Sequence, residues 1–330
     1  MGKAILITGA SSGLGLSHAV YLTSRGYSVV GTSRYAEKQD PATLKETYLR
    51  DHTKFGYTDK TKTQVKARSE AGRLAPKNIR ENLDAYLEQI KYVSMDVTNS
   101  NSVTRAMDSI GPIDVLINNA GSGYFGPVEE ISLEKAQSQF DTNFFGYLRV
   151  IQAVLPEMRE RKAGRIINTA SLGGIYCIPF QAHYSGTKAA IIRMSESLRL
   201  ELKPFNIRVS CLSPGDINTS FDVNTVLLTN PEKQLQSTNI LEMLEAMPVP
   251  KTSPYYDRAT IPWRTIVQNL LISPPPIVVS RRVEKIIKAK RPKAHYSAGS
   301  RLQTFGANFI MDRLLPNNWA LWIMAKFYGL

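Results

Sequence analysis

Cysteine and histidine are scarce in this chain, which has two cysteines and four histidines among its 330 residues. Two cysteines, Cys177 and Cys211, cannot form the disulfide framework of a small secreted domain, and this scarcity favours a reducing compartment. The histidines and cysteines follow no metal-ligand spacing. The sequence therefore predicts neither a metal site nor a disulfide-stabilised fold.

Long uncharged apolar segments are also missing. The apolar run over residues 4–7 is too short for the hydrophobic region of a signal peptide. No run approaches the roughly 18 residues that a membrane-spanning helix needs. We therefore expect a cytoplasmic protein.

Acidic residues are too few to balance the basic ones, and the formal net charge is +13. The excess lies in two segments, residues 44–80 with net +6 and residues 281–301 with net +7. We find no basic stripe interleaved with aromatic residues and no known reader motif, so nucleic acid is not a predicted partner. Solvated surface segments and contact with an anionic surface or ligand both remain open.

The chain does contain a strand, turn, helix and strand at its start. Ala4–Thr8 has the length of a buried strand, and a glycine-rich turn, a helical pattern over Leu16–Ser24 and a second strand over residues 28–32 follow it. Such a βαβ unit predicts a parallel sheet with helices on both faces.

The alternation of strand and helix continues along the chain. The further predicted strands and helices are Tyr92–Met95, Ser102–Ile110, Val115–Asn118, Leu133–Arg161, Arg165–Ala170, His183–Leu202 and Ile207–Leu212. The predicted fold class is α/β, a Rossmann-type doubly wound parallel sheet in a single domain over residues 1–330. Within it we distinguish a basic insertion (36–91), an irregular substrate loop (216–276) and a C-terminal extension (280–330).

The glycine turn has the context of a dinucleotide-binding site. Glycine permits unusual backbone angles and close approach, so that N–H groups at the start of a helix can meet a pyrophosphate. A merely tight turn is the alternative. The residues predicted to bind the cofactor here are Thr8, Gly9, Ser11, Ser12, Gly13, Leu14 and Gly15.

The end of the second strand indicates which dinucleotide to expect. An acidic residue there would favour NAD, but this strand ends Thr32-Ser33-Arg34 with no acid before Glu37. A guanidinium beside two hydroxyl groups suits a 2′-phosphate, so NADP(H) is predicted and NAD(H) is less favoured. A solvated arginine at a strand end is the alternative.

Tyr184 and Lys188 lie one helical turn apart at the start of a helical pattern, so their side chains share a face. An ammonium beside a phenol favours the phenolate, as a general acid for a carbonyl oxygen requires. Tyrosine and lysine at this spacing are common on helix surfaces. The pair alone therefore does not indicate a catalytic site, and other motifs are needed to support that interpretation.

Five separated motifs agree in order and spacing, over residues 1–35 and 92–219. They are Thr8 with Gly9–Gly15, Asn118-Asn119-Ala120-Gly121, Asn143 with Ser171, Tyr184-x-x-x-Lys188, and Pro214-Gly215. With them the chain resembles the short-chain dehydrogenase/reductase family. The tail from residue 280 is more loosely similar to the subgroup that includes 17β-hydroxysteroid and retinol dehydrogenases. The segment 36–91 is longer than the family usually has there, so we expect part of it to be an added surface or assembly element.

The resemblance implies a role for each matching residue. Tyr184 would be the acid/base, Lys188 would activate it and hold the nicotinamide ribose, Ser171 would bind the substrate oxygen, and Asn143 would organise a water. The other cofactor contacts that the resemblance implies are Asp96, Val97, Asn118, Ala120, Gly121, Pro214, Gly215, Ile217 and Thr219.

The predicted function is NADPH-dependent interconversion of a hydrophobic ketone or aldehyde and its alcohol. The alternative is a cofactor-binding regulatory or scaffold protein with the same fold, which would not need Asn143, Ser171, Tyr184 and Lys188. The resemblance also implies a homo-oligomer that pairs through helices at 133–161 and 183–202.

Apolar residues near the motifs predict a bulky apolar substrate, because such a site offers small polar molecules little. These residues are Tyr124, Phe125, Ile175, Tyr176 and Phe180. The tail over 309–330 is rich in Trp, Met and Leu. Packing against the body or a second subunit is the favoured interpretation of this tail, and contact with a membrane surface is the second one.

Overall fold

Strands and helices alternate through most of the chain. The computed structural model describes residues 2–52, 55–57, 65–67, 74–219, 226–227, 249–300, 303–304 and 316–330. The first elements are β1 (Ala4–Ile7), α1 (Gly13–Thr23), β2 (Ser28–Ser33), α2 (Pro41–Asp51), β3 (Phe55–Tyr57), β4 (Val65–Ala67), α3 (Lys77–Glu81), α4 (Leu83–Glu88), β5 (Lys91–Ser94), α5 (Ser100–Ile110) and β6 (Val115–Asn118). The later ones are β7 (Tyr124–Phe125), α6 (Leu133–Phe140), α7 (Gly146–Glu160), β8 (Gly164–Thr169), α8 (Ala182–Glu201), β9 (Ile207–Pro214), β10 (Val226–Leu227), α9 (Tyr256–Ile272), α10 (Ile277–Lys288), β11 (His295–Ala298) and α11 (Asn317–Phe327).

Seven of these strands form one sheet in the order β11-β9-β8-β6-β1-β2-β5. Every neighbouring pair in it is parallel. The strand order reverses between β1 and β6, and ligands of such sheets bind at the carboxyl ends of the strands beside this reversal. The predicted doubly wound parallel sheet is confirmed.

The two faces of the sheet are covered by separate layers of helices. In β1, Ile5 and Ile7 belong to a buried cluster with α1 and α10, whereas Leu6 between them belongs to a second cluster with α5, α7 and α8. Successive strand residues point to opposite faces, so a strand buried on both faces must be apolar throughout. This explains why the first strand is a continuous apolar run.

The described helices of the segment 36–91 pack into the core. Leu44 and Tyr48 of α2 and Leu83 of α4 are at most 2% exposed and pack in the same cluster as α1. Between these helices, β3 and β4 form a two-stranded antiparallel pair. The basic residues Lys45 and Arg50 lie between the buried positions of α2.

The helix predicted over Leu133–Arg161 is interrupted. A turn of π-helix over Asp141–Phe145 separates α6 from α7. The extra residue in such a turn changes which side chains face inward, and these turns are frequent at functional sites. Here the turn contains the buried Asn143.

Part of the predicted substrate loop 216–276 forms regular structure in the described residues. The segment 216–276 contains β10, which pairs with β7, and the 17-residue helix α9. The sequence also shows an amphipathic pattern over 231–247, which lies outside the described residues, and a short strand pattern over Ala294–Tyr296. The latter corresponds to β11, which extends the sheet beside β9. No helix in the described part of the chain is both long enough and apolar enough to cross a membrane.

Candidate active site

A cleft of about 690 Å³ opens at the carboxyl ends of the strands, beside the reversal of strand order. Many residues predicted from separate parts of the sequence line this one cleft. They are Gly9, Ser11, Ser12, Gly13, Leu14, Arg34, Asp96, Val97, Ala120, Gly121, Ser171, Tyr184, Lys188, Pro214, Gly215, Ile217 and Thr219. Four others, Thr8, Gly15, Asn118 and Asn143, are not among the lining residues.

Gly9 and Gly15 of the glycine turn have no room for a side chain. Gly9 and Gly13 have φ of +66° and +54°, in the left-handed region that favours glycine. A Cβ at Gly9 would lie 2.9 Å from the Cα of Ala120, and one at Gly15 would overlap the carbonyl oxygen of Gly9. The backbone therefore forms the cleft wall directly, as close approach of a pyrophosphate requires.

Thr8 and Asn119 join the turn after β1 to the turn after β6. The Thr8 Oγ1 accepts hydrogen bonds from the Asn119 and Ala120 amides at 2.9 and 3.1 Å. The Asn119 Nδ2 donates to the carbonyl oxygens of Thr8 and Gly9, each at 3.2 Å. Thr8 is therefore a supporting residue, and Asn119 is a lining residue that our residue assignment missed.

Asn118, which the resemblance implies as a cofactor contact, is not among the residues that line the cleft. It is fully buried, and its Nδ2 donates to Asn168 Oδ1 on β8 at 3.0 Å. The Asn168 Nδ2 in turn donates to Ser195 Oγ on α8 at 3.0 Å. Asn118 therefore links the strands beneath the cleft, whereas its neighbour Asn119 faces the cleft.

A carboxylate that the sequence did not suggest lies at the start of α1. The Gly13 amide donates to Asp51 Oδ2 at 3.2 Å, and Asp51 is 4% exposed at the end of α2. A helix N-terminus favours negative charge, so this contact is stabilising. It ties the segment 36–91 directly to the glycine turn.

The far end of the cleft is formed by the residues that follow β2. Ser33, Arg34, Tyr35 and Gln39 line it. The guanidinium carbon of Arg34 lies 6.0 Å from the centre of the Tyr35 ring, and both side chains are exposed. Among the described residues no carboxylate pairs with Arg34, so its charge is available to an anionic ligand.

Lys188 is a buried ammonium whose acceptor is a backbone carbonyl. Its Nζ donates to the Thr169 oxygen at 3.0 Å, and the side chain is 4% exposed. The same oxygen accepts from Tyr147 Oη at 3.1 Å. The Nζ lies 5.6 Å from the centre of the Tyr184 ring and 5.8 Å from that of Tyr147. Burial lowers the pKa of Lys188 to about 8.

Ser171 and Tyr184 reach the same cleft from different elements. Ser171 follows β8, and its Oγ accepts from the Gly173 amide at 3.0 Å, which orients the hydroxyl group. Tyr184 lies in the first turn of α8, one turn before Lys188. The structure therefore brings together three of the four predicted catalytic side chains.

Asn143 lies directly behind this group. Its Oδ1 accepts from the Ser122 amide at 2.8 Å, and its Nδ2 donates to the Ser122 oxygen at 3.0 Å and to Thr187 Oγ1 at 3.1 Å. Thr187 in turn donates to the Tyr184 carbonyl oxygen at 2.8 Å. Asn143 thus couples the turn after β6 to the first turn of α8.

The apolar residues expected around a substrate separate into two groups. Tyr124 and Tyr176 line the cleft, as expected. Phe125 is fully buried instead, stacked against Phe180 and edge-on to Trp263 of α9. Ile175 packs against a core cluster.

Among the lining residues that the sequence did not single out, three border the apolar part of the cleft. They are Asp216, Ile266 of α9 and Tyr328 beyond α11. The apolar content of the tail was the only sequence signal for Tyr328.

Comparison with known proteins identifies the relatives of this chain. The family described as short chain dehydrogenase matches residues 58–227. A 3-ketodihydrosphingosine reductase from Bacteroides thetaiotaomicron is 37% identical over 224 residues, which is 67% of this chain and 66% of the relative. Bovine retinol dehydrogenase 8 is 30% identical over 320 residues, covering 94% of this chain and 86% of the relative.

Human 17-beta-hydroxysteroid dehydrogenase type 1 is also similar, with 34% identity over 72% of this chain and 62% of the relative. The matches to this protein and to the bacterial reductase thus span less than two thirds of those relatives' own length. Among solved structures, a short-chain dehydrogenase from Streptomyces avermitilis has a TM-score of 0.61 at 25% identity, covering 90% of this chain and 88% of that one.

Burial of the Lys188 ammonium should make the free energy of unfolding depend on pH. Because burial lowers the folded-state pKa of Lys188 to about 8 and an unfolded lysine titrates near about 10.4, the unfolded chain binds more protons between these values. The cost of burying the charge is thus full below pH 8 and disappears by about pH 10.5. Lys188→Met lacks this gain in stability with rising pH. The free energy of unfolding of the variant minus that of wild type should therefore fall by up to about 3 kcal/mol between pH 7 and pH 10.5.

Urea unfolding without cofactor at several pH values measures this difference. Lys203→Met is the matched control, because Lys203 is exposed, and its profile should run parallel to that of wild type. Parallel profiles for Lys188→Met and wild type would contradict the burial of a charged lysine.

Proposed function

The chain belongs to the short-chain dehydrogenase/reductase family, and from this we propose that it is an NADPH-dependent oxidoreductase that interconverts a hydrophobic ketone or aldehyde and its alcohol. The observation that supports this most directly is the convergence of Tyr184, Lys188 and Ser171 on the cleft that the glycine turn borders. These residues come from three different motifs. A regulatory or scaffold protein would have no need of that convergence.

The cleft fits a dinucleotide by its shape and backbone. The glycine turn at one wall excludes any Cβ at Gly9 and Gly15, and the volume of about 690 Å³ lies in the range of cofactor sites. The residues that would hold the dinucleotide are the glycine turn, Arg34, Asp96, Val97, Ala120, Pro214 and Gly215. When bound, its reduced nicotinamide supplies the hydride.

Residues of this chain supply the proton that the carbonyl oxygen receives during reduction. Tyr184 donates its phenolic proton to the carbonyl oxygen in the direction of reduction. The Lys188 ammonium stabilises the phenolate that remains, since a positive charge nearby favours the ionised form. Ser171 donates a hydrogen bond to the same carbonyl oxygen and so stabilises the charge that develops there. Asn143, through Thr187, fixes the turn of α8 that presents Tyr184.

The preference for NADP(H) rests on Arg34. Its guanidinium borders the cleft at the end of β2, among the side chains of Ser33, Tyr35 and Gln39. Charged and polar groups of this kind match the oxygens of a 2′-phosphate, and β2 itself ends without an acidic residue before Glu37 that would bind a ribose diol instead.

The substrate is proposed to be bulky and apolar. Tyr124, Tyr176, Ile178, Ile266 and Tyr328 line the cleft together with the catalytic residues. Burial of apolar area against such side chains contributes about 25 cal/mol per Å². An alkyl chain or ring system therefore gains more from this wall than a small polar molecule does.

The terminal helix α11 supports both interpretations of the tail. Met324 and Tyr328 are buried against the body at 6% and 5% exposure, and Tyr328 lines the cleft. The helix also exposes Trp319, Leu321 and Trp322 at 62%, 54% and 59%. A short helix with buried and exposed apolar residues suits the boundary between the body and a membrane surface. We propose that these exposed side chains contact anionic lipid, to which the net charge of +13 is attracted.

Pairing with a second copy is proposed through α7 and α8. The exposed apolar side chains Phe145 and Leu200 lie at the start of α7 and near the end of α8, with 48% and 73% exposure. Covering them would remove apolar surface from water.

Replacing the proposed acid tests the mechanism. Tyr184→Phe should lower kcat for reduction of a ten-carbon ketone by at least about 100-fold, because general acid catalysis contributes roughly 10²–10⁴-fold, while NADPH binding changes little. Tyr255→Phe is the control, since Tyr255 bonds Glu129 at the surface and is not among the cleft residues. Turnover of Tyr184→Phe within tenfold of wild type would refute the assignment.

Replacing Arg34 tests the cofactor preference. Wild type should favour NADPH over NADH, and Arg34→Ala should reduce the ratio of their kcat/KM values by about 10- to 100-fold, as loss of a charge-assisted contact of ~1.5–3 kcal/mol implies. Arg105→Ala on the exposed side of α5 is the control. An unchanged ratio in Arg34→Ala, or a wild type that prefers NADH, would contradict the proposal.

Sedimentation with anionic liposomes tests the membrane contact. Wild type should sediment at low salt and less at high salt, whereas the double variant Trp319→Glu/Trp322→Glu should stay in the supernatant with its turnover of a soluble ketone retained. Val128→Glu, at another exposed apolar position with 60% exposure, should sediment as wild type does. A wild type that never sediments would rule out the contact.

A further inference from the structure

The cleft contains one carboxylate, Asp216, to which the proposed reaction gives no role. Asp216 directly follows Pro214-Gly215 at the end of β9 and lines the cleft with Tyr176, Ile266 and Tyr328. An acidic side chain beside these residues contrasts with the apolar character of the wall. Its position in the cleft suggests that it contacts a ligand.

The segment after β11 fixes the position of the Asp216 side chain. The Gln303 Nε2 donates to Asp216 Oδ2 at 2.6 Å. The Gly215 amide donates to the Ala298 oxygen at 2.8 Å, and the ladder of β11 with β9 pairs Ala298 with Pro214. A Cβ at Gly215 would lie 2.8 Å from Gln303 Oε1, so the two segments pack closely. The carboxylate is therefore fixed at the cleft wall.

The charge of Asp216 has no cationic partner within the described ranges of the chain. Burial raises the pKa of Asp216, and the hydrogen bond from Gln303 acts in the opposite direction. An amide N–H facing the carboxylate favours the ionised form. The same charge adds to burial in raising the pKa of Tyr176. A desolvated carboxylate without a cation is costly, so a bound cation would be favoured here.

We propose that Asp216 binds a positively charged group of the substrate, so that the substrate is an amphiphile with an ammonium group as well as a carbonyl and an apolar part. This inference rests on the proposed function for the carbonyl chemistry. The apolar part would contact Ile266 and Tyr328, and the ammonium would replace water at the free oxygen of Asp216. Asp216 is then a specificity-determining residue, because a neutral carbonyl compound of the same length leaves its charge unpaired.

Calorimetric binding to the NADP⁺-loaded protein tests this without depending on turnover. The probes are n-octylammonium and n-octanol, which have the same chain and differ in charge. Wild type should bind the ammonium at least about tenfold more tightly than the alcohol, as a charge-assisted contact implies. Asp216→Asn should remove this difference and leave the affinity for n-octanol unchanged, and Asp216→Ser provides a second variant.

Asp257→Asn is the matched control, because Asp257 is an exposed acid on α9 that is not among the cleft residues. It should keep the wild-type difference between the probes. Equal affinities of wild type for the two probes would overturn the inference. So would an Asp216→Asn variant that binds NADP⁺ more weakly but binds both probes as wild type does, because Asp216 would then be a cofactor contact.

The proposed function fails by a different measurement. If wild type reduces neutral ten-carbon ketones with NADPH and binds both probes equally, the oxidoreductase stands and the role of Asp216 is wrong. If the probes differ as expected but no carbonyl compound is reduced, Asp216 is a cation site and the proposed reaction is wrong.

Discussion

The hydrogen bond from the buried Lys188 ammonium to the Thr169 carbonyl is the interaction on which the geometry of the site depends. Thr169 ends β8 and is paired with Leu212 of β9, so the ammonium is positioned relative to the sheet itself. Tyr147 supports the same carbonyl oxygen from α7. Because no carboxylate neutralises Lys188 within the described chain, its charge acts on Tyr184 and on any ligand in the cleft. This arrangement is destabilising in isolation, and such a cost is common where function requires it.

Lys188 is not the one such charge in the cleft. Several charged side chains there have no partner of opposite charge among the described residues. Lys188 lies beside the proposed reacting group, Arg34 borders the far end, and Asp216 borders the apolar wall. Ligands that complement these three charges together carry an anionic group for Arg34, a polar reacting group beside Lys188, and an ammonium group next to an apolar chain for Asp216. A dinucleotide together with an amphiphilic carbonyl compound provides these groups.

The parts of this account that the sequence could predict depend on residues that are close together in the chain. The glycine turn, the strands and the Tyr184–Lys188 pair each follow from a short pattern. Two adjacent asparagines at a strand end look equivalent in the sequence, although only Asn119 lines the cleft. The π-turn at Asn143 was missed because it lies inside one continuous helical pattern and contains neither glycine nor proline. Asp216 could not be recognised because its partner Gln303 is 87 positions away.

The central claim is that this cleft transfers hydride to a carbonyl carbon, and an isotope experiment tests it most directly. Incubation of the full chain with NADPH deuterated at both C4 positions and a ten-carbon ketone should give an alcohol in which one deuterium is bound to the former carbonyl carbon, as mass spectrometry and NMR can determine. The Lys188→Met variant should give little of this product. An alcohol without deuterium, or no alcohol from any apolar ketone or aldehyde, would contradict the account.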